Sequence, residues 1–135
     1  MHIEKTLTPS SQDIDFLTLK IHGETTGFGE WYPFGFFMKN DEEEIIAGCN
    51  GSVIFGVIYT DQLWVHPDHR KSGFGRQLME QVRNYGREKK CKMATVSTMS
   101  FQDAREFYEK LGYTVYYDLK GYIHDTSCYF LKLML

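Results

Sequence analysis

One segment near the middle of the chain changes from strand-like to helix-like sequence, and it constrains the fold more than any other. Residues 53–65 are rich in β-branched and aromatic side chains, which is typical of a strand, and Pro67 ends this block. From Gly75 onward, apolar residues recur at the spacing of a helix that buries one face. A turn from a strand into a helix leaves backbone N–H groups free at the positive end of the helix dipole. The sequence therefore predicts an anion site at this turn, and pyrophosphate is the anion such sites commonly bind.

The residues of the turn fit this prediction. Glycine at positions 73 and 75 lets anionic oxygens approach the backbone closely. Three side chains add positive charge: Arg70, Lys71 and Arg76. A dinucleotide-binding G-x-G-x-x-G fingerprint is excluded because Leu78 occupies the third glycine position, and the P-loop pattern is also absent. A glycine-containing helix entry that binds nothing is the remaining alternative.

Length and charge restrict the class of protein. With 135 residues, the chain predicts one domain over residues 1–135 with a core of its own. A formal net charge of −3 argues against a general nucleic-acid binder. No apolar run approaches the roughly 18 residues of a membrane helix, and the first residues lack a signal-peptide pattern. Three widely spaced cysteines without a CxxC pair favour a reduced, cytoplasmic protein.

Periodicity along the chain predicts a mixed α/β fold in the order β-α-β-β-β-α-β-α-β-β. Residues 2–7 are expected to form a short strand, and a helix is expected to start near Ser10 and to stop at Gly23. Three apolar residues fall on one face of that helix: Ile14, Leu17 and Ile21. The other expected strands are about 36–39, 44–50, 53–65, 92–98, 113–117 and 128–135. A last helix is expected after Ser100, with Asp103 as its capping-box partner.

Two segments resemble the GNAT superfamily of acetyl-CoA-dependent N-acetyltransferases. Residues 70–75 match its R/Q-x-x-G-x-G/A signature, and residues 104–113 resemble its A-x-x-F-Y-x-x-x-G-[FY] motif. The two motifs stand in the family's order, and the order of elements agrees with the family fold across nearly the whole chain. The resemblance implies a mostly antiparallel, twisted sheet of about six to seven strands flanked by helices. It extends to a group of small bacterial members with unassigned substrates.

The same resemblance implies an activity and a co-substrate. The chain is expected to transfer an acetyl group from acetyl-CoA to a primary amine, with no metal, by direct attack in a ternary complex. The residues expected to hold acetyl-CoA are Trp64, Val65, Arg70, Lys71, Ser72, Gly73, Phe74, Gly75, Arg76 and Gln102. Gln102 is included because Phe101 stands where many members carry an asparagine that contacts the co-substrate.

Two residues are expected to carry the proton transfers. Tyr108 matches the family tyrosine that faces the cofactor sulfur, which makes it the candidate acid. Its helical spacing taken alone favours a core aromatic, and the motif favours the functional reading. Asp61 occupies the position of a catalytic glutamate in the spermidine/spermine N-acetyltransferases, so it is the candidate base, acting directly or through a water. A solvated aspartate at a strand end is the alternative, because many members use a water chain.

The acceptor side is less constrained. Four residues before the first long strand are expected to attract and wall an amine: Glu24, Glu30, Trp31 and Tyr32. The short chain favours a small-molecule amine over a protein lysine or N-terminus, and a homodimer is expected. His66 and His69 lack further convergent ligands, so no metal site is expected. The alternatives to an enzyme are a CoA-binding sensor or interaction module without catalysis and a structural domain that binds nothing.

Overall fold

The computed structural model describes residues 1–135 and is organised around one six-stranded sheet. The strands are β1 Tyr32–Lys39, β2 Ile45–Ile54, β3 Val57–Val65, β4 Met93–Met99, β5 Thr114–Tyr122 and β6 Thr126–Met134. The α-helices are α1 Ser11–Glu24, α2 Phe74–Glu88 and α3 Arg105–Lys110. Two short 3₁₀ turns lie at Pro67–His69 and Ile123–Asp125. The spatial order of the strands is β1-β2-β3-β4-β6-β5.

Every neighbouring pair of strands is antiparallel except the central pair, β3 and β4. These two parallel strands pair over three rungs only, from Val57 with Met93 to Tyr59 with Thr95. A parallel connection needs a crossover, and α2 supplies it. The sheet is therefore mixed and mostly antiparallel, as the sequence predicts.

Helix α2 covers one face of the sheet and forms most of the core with it. Its buried residues, Leu78, Met79, Val82 and Gly86, fall on one helical face. Gly86 lets the helix approach the sheet closely, because an added Cβ would lie 2.8 Å from Cγ2 of Ile58.

Helix α3 packs beside α2 on the same face of the sheet. A Cβ added at Gly75 would lie 3.2 Å from the ring of Phe107, so the start of α2 approaches α3 closely. Further along, Nη2 of Arg83 donates a hydrogen bond of 2.6 Å to the carbonyl oxygen of Leu111, the residue after α3. Together these contacts fix α3 against α2.

The opposite face of the sheet, called the open face below, carries no helix. It exposes aromatic side chains from several strands, namely Phe37, Tyr59, Trp64 and Tyr117. Helix α1 does not cover this face: none of its residues is buried, and Ile14, Leu17 and Ile21 are each about half exposed. The apolar face that these three side chains form is therefore not part of the core. The helix starts near Ser10 as expected, and Oγ of Ser10 accepts a hydrogen bond from the N–H of Asp13.

Other expectations for the elements need correction. Residues 2–7 form no strand, so the sheet has six strands and the chain's first regular element is α1. The expected strand over 53–65 is divided by a turn at Phe55 and Gly56, whose φ angles are +52° and +81°. Ser100 does not cap α3, because its hydroxyl accepts from the N–H of Ser127 and ties the end of β4 to β6. The helix begins five residues later, at Arg105.

The Arg83 hydrogen bond predicts a measurable stability effect. Replacing Arg83 with Met keeps most of the apolar stem but leaves the carbonyl of Leu111 without its charged donor. We expect Arg83→Met to lower the free energy of unfolding by about 1.5–3 kcal/mol in urea titrations. Arg87→Met, an exposed change on the same helix, is the control and should cost less than about 1 kcal/mol. Equal losses in the two variants would contradict the structural role of Arg83.

Candidate active site

The parallel strands β3 and β4 separate beyond their third rung and leave a wedge between them. Strand β3 runs six residues past Tyr59, and β4 runs four residues past Thr95. Their outer edges stay paired, β3 with β2 and β4 with β6. The inner edges therefore present unpaired backbone groups, which can bind an extended ligand that carries amides.

Strand alternation identifies the groups of β3 that face the wedge. The N–H of Gln62 donates to Asn50 on β2, and the N–H of His66 donates to Ile46. Even-numbered residues here therefore face β2, so Leu63 and Val65 direct their N–H and C=O groups toward β4. Trp64 was expected to offer backbone groups to the co-substrate, but its groups face β2 and its ring lies half exposed on the open face. The backbone groups that face the wedge are those of Leu63 and Val65.

The loop between β3 and α2 lies at the mouth of this wedge and forms a row of free donors. Lys71 has a φ of +61° and Gly73 a φ of +87°, so left-handed residues flank Ser72. The backbone N–H groups of residues 71–76 make no hydrogen bond within the chain, and the first helical bond of α2 runs from Gln77 to Gly73. Successive N–H groups in such a curved backbone form an anion-binding concavity, here at the positive end of a 15-residue helix.

The charged side chains of the loop have different partners. Nε of Arg70 donates to the carbonyl oxygen of Val65 at 2.9 Å and so holds the loop against the end of β3. Arg76 lies 3.6 Å from the carboxylate of Glu80, with both side chains exposed. The ring of Phe74 stacks on the ring of His69, with 5.7 Å between the ring centroids. The side chain of Phe74 therefore supports the loop, and the backbone N–H of Phe74 stays free. Gly73 faces open space, with no atom within 4 Å of an added Cβ.

The two histidines of the loop serve its local structure. Nδ1 of His66 accepts from the backbone N–H of Asp68 at 3.1 Å and caps the short turn before Arg70. Its ring also contacts that of His69 at 5.7 Å. No group of three or more metal-ligating side chains is assembled in the structure.

Tyr108 projects from α3 into the covered side of the molecule. It is 6% exposed, and its ring packs edge-on against Phe107 and Tyr113. Burial raises the pKa of Tyr108 well above its usual value, and the nearby Tyr113 and Cys49 add smaller increases. No hydrogen bond to the Tyr108 hydroxyl lowers the pKa again. The phenol is therefore protonated at neutral pH and is a free hydrogen-bond donor.

Asp61 lies at a break in the β2–β3 pairing. The register shifts between Asn50–Gln62 and Gly51–Thr60, so Asp61 is an extra residue that bulges from β3. Its carboxylate is exposed on the open face, where the hydroxyl of Tyr59 donates to it at 3.4 Å. Burial and the Asp61 charge raise the pKa of Tyr59, so this donor also stays protonated. The base candidate and the acid candidate thus lie on opposite faces of the sheet.

Gln102 stands at the end of β4. Its Oε1 accepts from the N–H of Met99 at 3.0 Å and from the hydroxyl of Thr98 at 3.3 Å. These bonds fix the carboxamide at the mouth of the wedge with its NH₂ group free to donate. A ligand contact from Gln102 is therefore restricted to that NH₂ group.

Thr60 is a site residue that the sequence reasoning missed. It is the first residue of β3 beyond the last rung with β4, and it is 3% exposed. Its Oγ1 is the one buried side-chain polar atom of the chain without a hydrogen-bond partner. Leaving a buried hydroxyl unpaired costs about 1–3 kcal/mol. A threonine within an otherwise apolar buried run, two residues after Ile58, was the signal available in the sequence.

The four residues expected at the acceptor side lie near the opposite end of β3 from the loop. Glu30 and Trp31 line a cavity of about 570 Å³, together with Ile54 and Phe55. Glu24 and Tyr32 do not line it. The hydroxyl of Tyr32 donates a hydrogen bond of 2.7 Å to the carboxylate of Glu30. The ammonium of Lys89 lies over the Tyr32 ring, 4.1 Å from the ring centroid. One face of the Tyr32 ring is therefore already in contact with a cation of the same chain.

A second, smaller cavity of about 230 Å³ lies on the open face close to the bulge. Its walls are the rings of Phe37 and Trp64, and its polar residues include Asn50 and Gln62. Gln62 is adjacent to Asp61 in β3, so this cavity lies beside the candidate base.

The wedge and the loop place free backbone donors between and beyond two diverging parallel strands of a mixed sheet. The sequence profile of the Acetyltransferase (GNAT) family matches residues 6–113, and the chain belongs to this family. The resemblance recognised in the two motifs is confirmed, as are the mixed α/β fold and the six-stranded sheet flanked by helices.

Solved structures support the same conclusion. The chain is similar to an acetyltransferase from Bacillus cereus ATCC 14579, with 26% identity, a TM-score of 0.77 and coverage of 100% of this chain and 98% of that one. It shares the fold of a proposed acetyltransferase from Agrobacterium tumefaciens, with 20% identity, a TM-score of 0.83 and full coverage of both chains. It also shares the fold of a proposed streptothricin acetyltransferase from Bacillus anthracis in complex with acetyl coenzyme A, with 17% identity, a TM-score of 0.70 and coverage of 77% and 63%. Among curated protein sequences, none matches this chain.

The loop geometry predicts the effect of a single side chain. Gly73→Val forces a β-branched residue into a left-handed backbone position, so the row of N–H groups should lose its shape. We expect the dissociation constant for CoA, measured by titration calorimetry, to rise at least about tenfold.

Gly56→Val is a matched control for this change. Gly56 also has a left-handed φ, +81°, with no atom within 4 Å of an added Cβ, but it lies in the β2–β3 turn. Its CoA affinity should stay within about twofold of wild type. Equal weakening in the two variants would show that general strain, and not the loop, governs binding.

Proposed function

We propose that this protein transfers the acetyl group of acetyl-CoA to a primary amine of a small molecule, by direct attack in a ternary complex. The observation that carries this proposal is the continuity of the wedge. It leads from the N–H groups of residues 71–76, past the N–H of Val65 and the backbone groups of Leu63, to the bulge at Asp61. From Val65 to Asp61 this path is about 13 Å long at the usual strand rise.

The residues of the chain fit acetyl-CoA in three respects. The loop offers backbone donors and positive charge from Lys71 and Arg76 to the pyrophosphate. The free edge of β3 and the NH₂ group of Gln102 can pair with the amides of the pantetheine arm. The Thr60 hydroxyl, which has no hydrogen-bond partner in the chain, provides a polar group at the narrow end of the wedge. Acetyl-CoA supplies the activated acyl group, and no metal is needed.

In this proposal, Asp61 and Tyr108 handle the protons from opposite sides. Asp61, directly or through a water, accepts a proton from the ammonium, and the resulting amine forms a bond to the thioester carbon. The carbon–sulfur bond then breaks, and the hydroxyl of Tyr108 donates its proton to the departing sulfur. Tyr108 regains a proton from the medium, and Asp61 and the new amide nitrogen each release one to it. Overall, one ammonium and one thioester become one amide, one thiol and one released proton.

A small acceptor is favoured by the space on the open face. Helices α2 and α3 cover the other face, so the amine approaches Asp61 from the open face. The cavity between Phe37 and Trp64 holds only about 230 Å³. In this proposal, the amine reaches Asp61 along β3, and Glu30 and Trp31 lie beside the start of that path. The first residue of β3 lies about 13 Å from Asp61 at the usual strand rise.

A CoA-binding protein without catalysis is the second candidate. This candidate is favoured by Gln102, because its Oε1 already accepts hydrogen bonds from Thr98 and Met99 of β4. Only its NH₂ group can replace the contact to the co-substrate that a motif asparagine makes. Such a protein would bind acetyl-CoA and release no thiol.

A panel of amines separates the two candidates. The panel should contain diamines and polyamines, amino acids, aminoglycosides and peptides with free N-termini, each with acetyl-CoA and a thiol reagent. We expect amine-dependent thiol release with at least one small amine, and N-acetylation of that amine by mass spectrometry. Acetyl-CoA should also raise the melting temperature. Binding without thiol release would select the second candidate, and no thermal shift at millimolar acetyl-CoA would contradict both.

Replacing Tyr108 tests the acid. Tyr108→Phe removes one hydroxyl and retains the ring, so kcat should fall by roughly 10²-fold or more while the affinity for CoA changes little. Because burial keeps Tyr108 protonated, wild-type kcat should show no loss from phenol ionisation up to about pH 10. Tyr113→Phe, a neighbouring buried tyrosine whose ring lies 5.7 Å away, is the control with unchanged kcat. Unchanged turnover in Tyr108→Phe would remove this residue from the mechanism.

We also propose that the protein is a homodimer located in the cytoplasm. Helix α1 and the open face are two apolar surfaces of one chain that do not cover each other, and a second copy can cover both. The three cysteines are free and buried, as suits a reducing compartment. No helix of the structure combines the length and the apolar character needed to cross a membrane.

Light scattering tests the dimer. The wild-type chain should elute with twice the chain mass of 15.8 kDa. Leu17→Glu places a charge on the apolar side of α1 and should shift the population toward monomer, whereas the polar change Gln12→Glu on the same helix should not. A monomeric wild type at micromolar concentration would contradict the proposed dimer.

A further inference from the structure

Thr60 stands at the point where β3 and β4 part. Its neighbour Tyr59 forms the last rung, with Thr95 of β4, and the bulge at Asp61 follows immediately. The wedge therefore narrows to its end at Thr60. A group that enters from the loop at the carboxyl end of β3 and runs toward the amino end stops at this residue.

The side chain of Thr60 lies on the covered face of the sheet. Side chains alternate along a strand, and Ile58, two residues earlier, faces α2 through Gly86. Helix α3, which carries Tyr108, packs on the same face. Thr60 and Tyr108 are both more than nine-tenths buried, and neither hydroxyl has a partner in the chain.

A buried donor without a partner is unusual, because nearly all buried polar side chains are hydrogen-bonded. Valine has the shape of threonine and would fill this position without the unpaired hydroxyl. The hydroxyl therefore has no evident role in the folded chain alone, and its position at the end of the wedge assigns it to a ligand.

We propose that the Thr60 hydroxyl donates a hydrogen bond to the carbonyl oxygen of the bound thioester. This inference rests on the proposed acetyl transfer. As the amine adds, the carbon–oxygen double bond opens, and negative charge develops on that oxygen. A donor fixed in a buried site stabilises this charge without reorganisation. When the carbon–sulfur bond breaks, the charge returns to the carbonyl, and Thr60 keeps its own proton throughout.

Two substitutions at one position separate this role from a structural one. Thr60→Val removes the hydroxyl and retains the branched shape, and Thr60→Ser retains the hydroxyl. We expect kcat of Thr60→Val to fall roughly 10- to 100-fold with a smaller rise in KM for acetyl-CoA, whereas Thr60→Ser should stay within about threefold of wild type in both. Because Thr60→Val also relieves an unpaired buried hydroxyl, its melting temperature without ligand should equal or exceed that of wild type.

Calorimetry with acetyl-CoA and CoA adds a measurement that needs no acceptor. Wild type should prefer acetyl-CoA, Thr60→Val should lose most of that preference, and the affinity for CoA should be the same in both. A lower melting temperature with unchanged kcat in Thr60→Val would show a structural hydroxyl and overturn the inference, as would an unchanged preference for acetyl-CoA. If wild type itself binds neither ligand, the proposed acetyl transfer fails, which is a distinct result.

Discussion

The short parallel pairing between β3 and β4 is the constraint on which the rest of the structure depends. Three rungs hold the two strands together at one end, while β2 and β6 hold their outer edges along most of their length. The bulge at Asp61 increases the local bend of β3 just beyond the last rung. The strands therefore diverge, and the resulting wedge has unpaired backbone on both sides and one covered face.

The position of the loop follows from the same divergence. Helix α2 follows β3 after the loop and packs back along the sheet, so its N-terminus lies at the wide end of the wedge. Ligands of α/β proteins commonly bind beyond the carboxyl ends of strands where the sheet opens. The hydrogen bond from Arg70 to the carbonyl of Val65 joins loop and strand, so the anion site and the free edge form one continuous surface.

Much of this arrangement could be predicted from sequence because its causes are local. Glycine at position 73 accepts a left-handed φ that other residues avoid, and the helical spacing of α2 fixes which side chains are buried. Expectations that depended on distant contacts were less successful. Ser100 has a good capping sequence, but its hydroxyl is taken by β6. Helix α1 has an apolar side that no part of the chain covers.

The site itself was predictable at the level of the segment but not of the individual backbone group. Trp64 and Leu63 differ by one position, and only the pairing with β2 decides which of them faces the wedge. Thr60 was missed because the sequence shows only a threonine two residues after Ile58, whereas the missing partner of its hydroxyl is a property of the three-dimensional surroundings. Hydrogen–deuterium exchange with and without acetyl-CoA tests the central role of the wedge most directly. Acetyl-CoA should slow exchange of the amides of residues 61–65 and 71–76 and leave α1 unchanged, whereas unchanged exchange in both segments, or slowing confined to residues 22–31, would contradict the account.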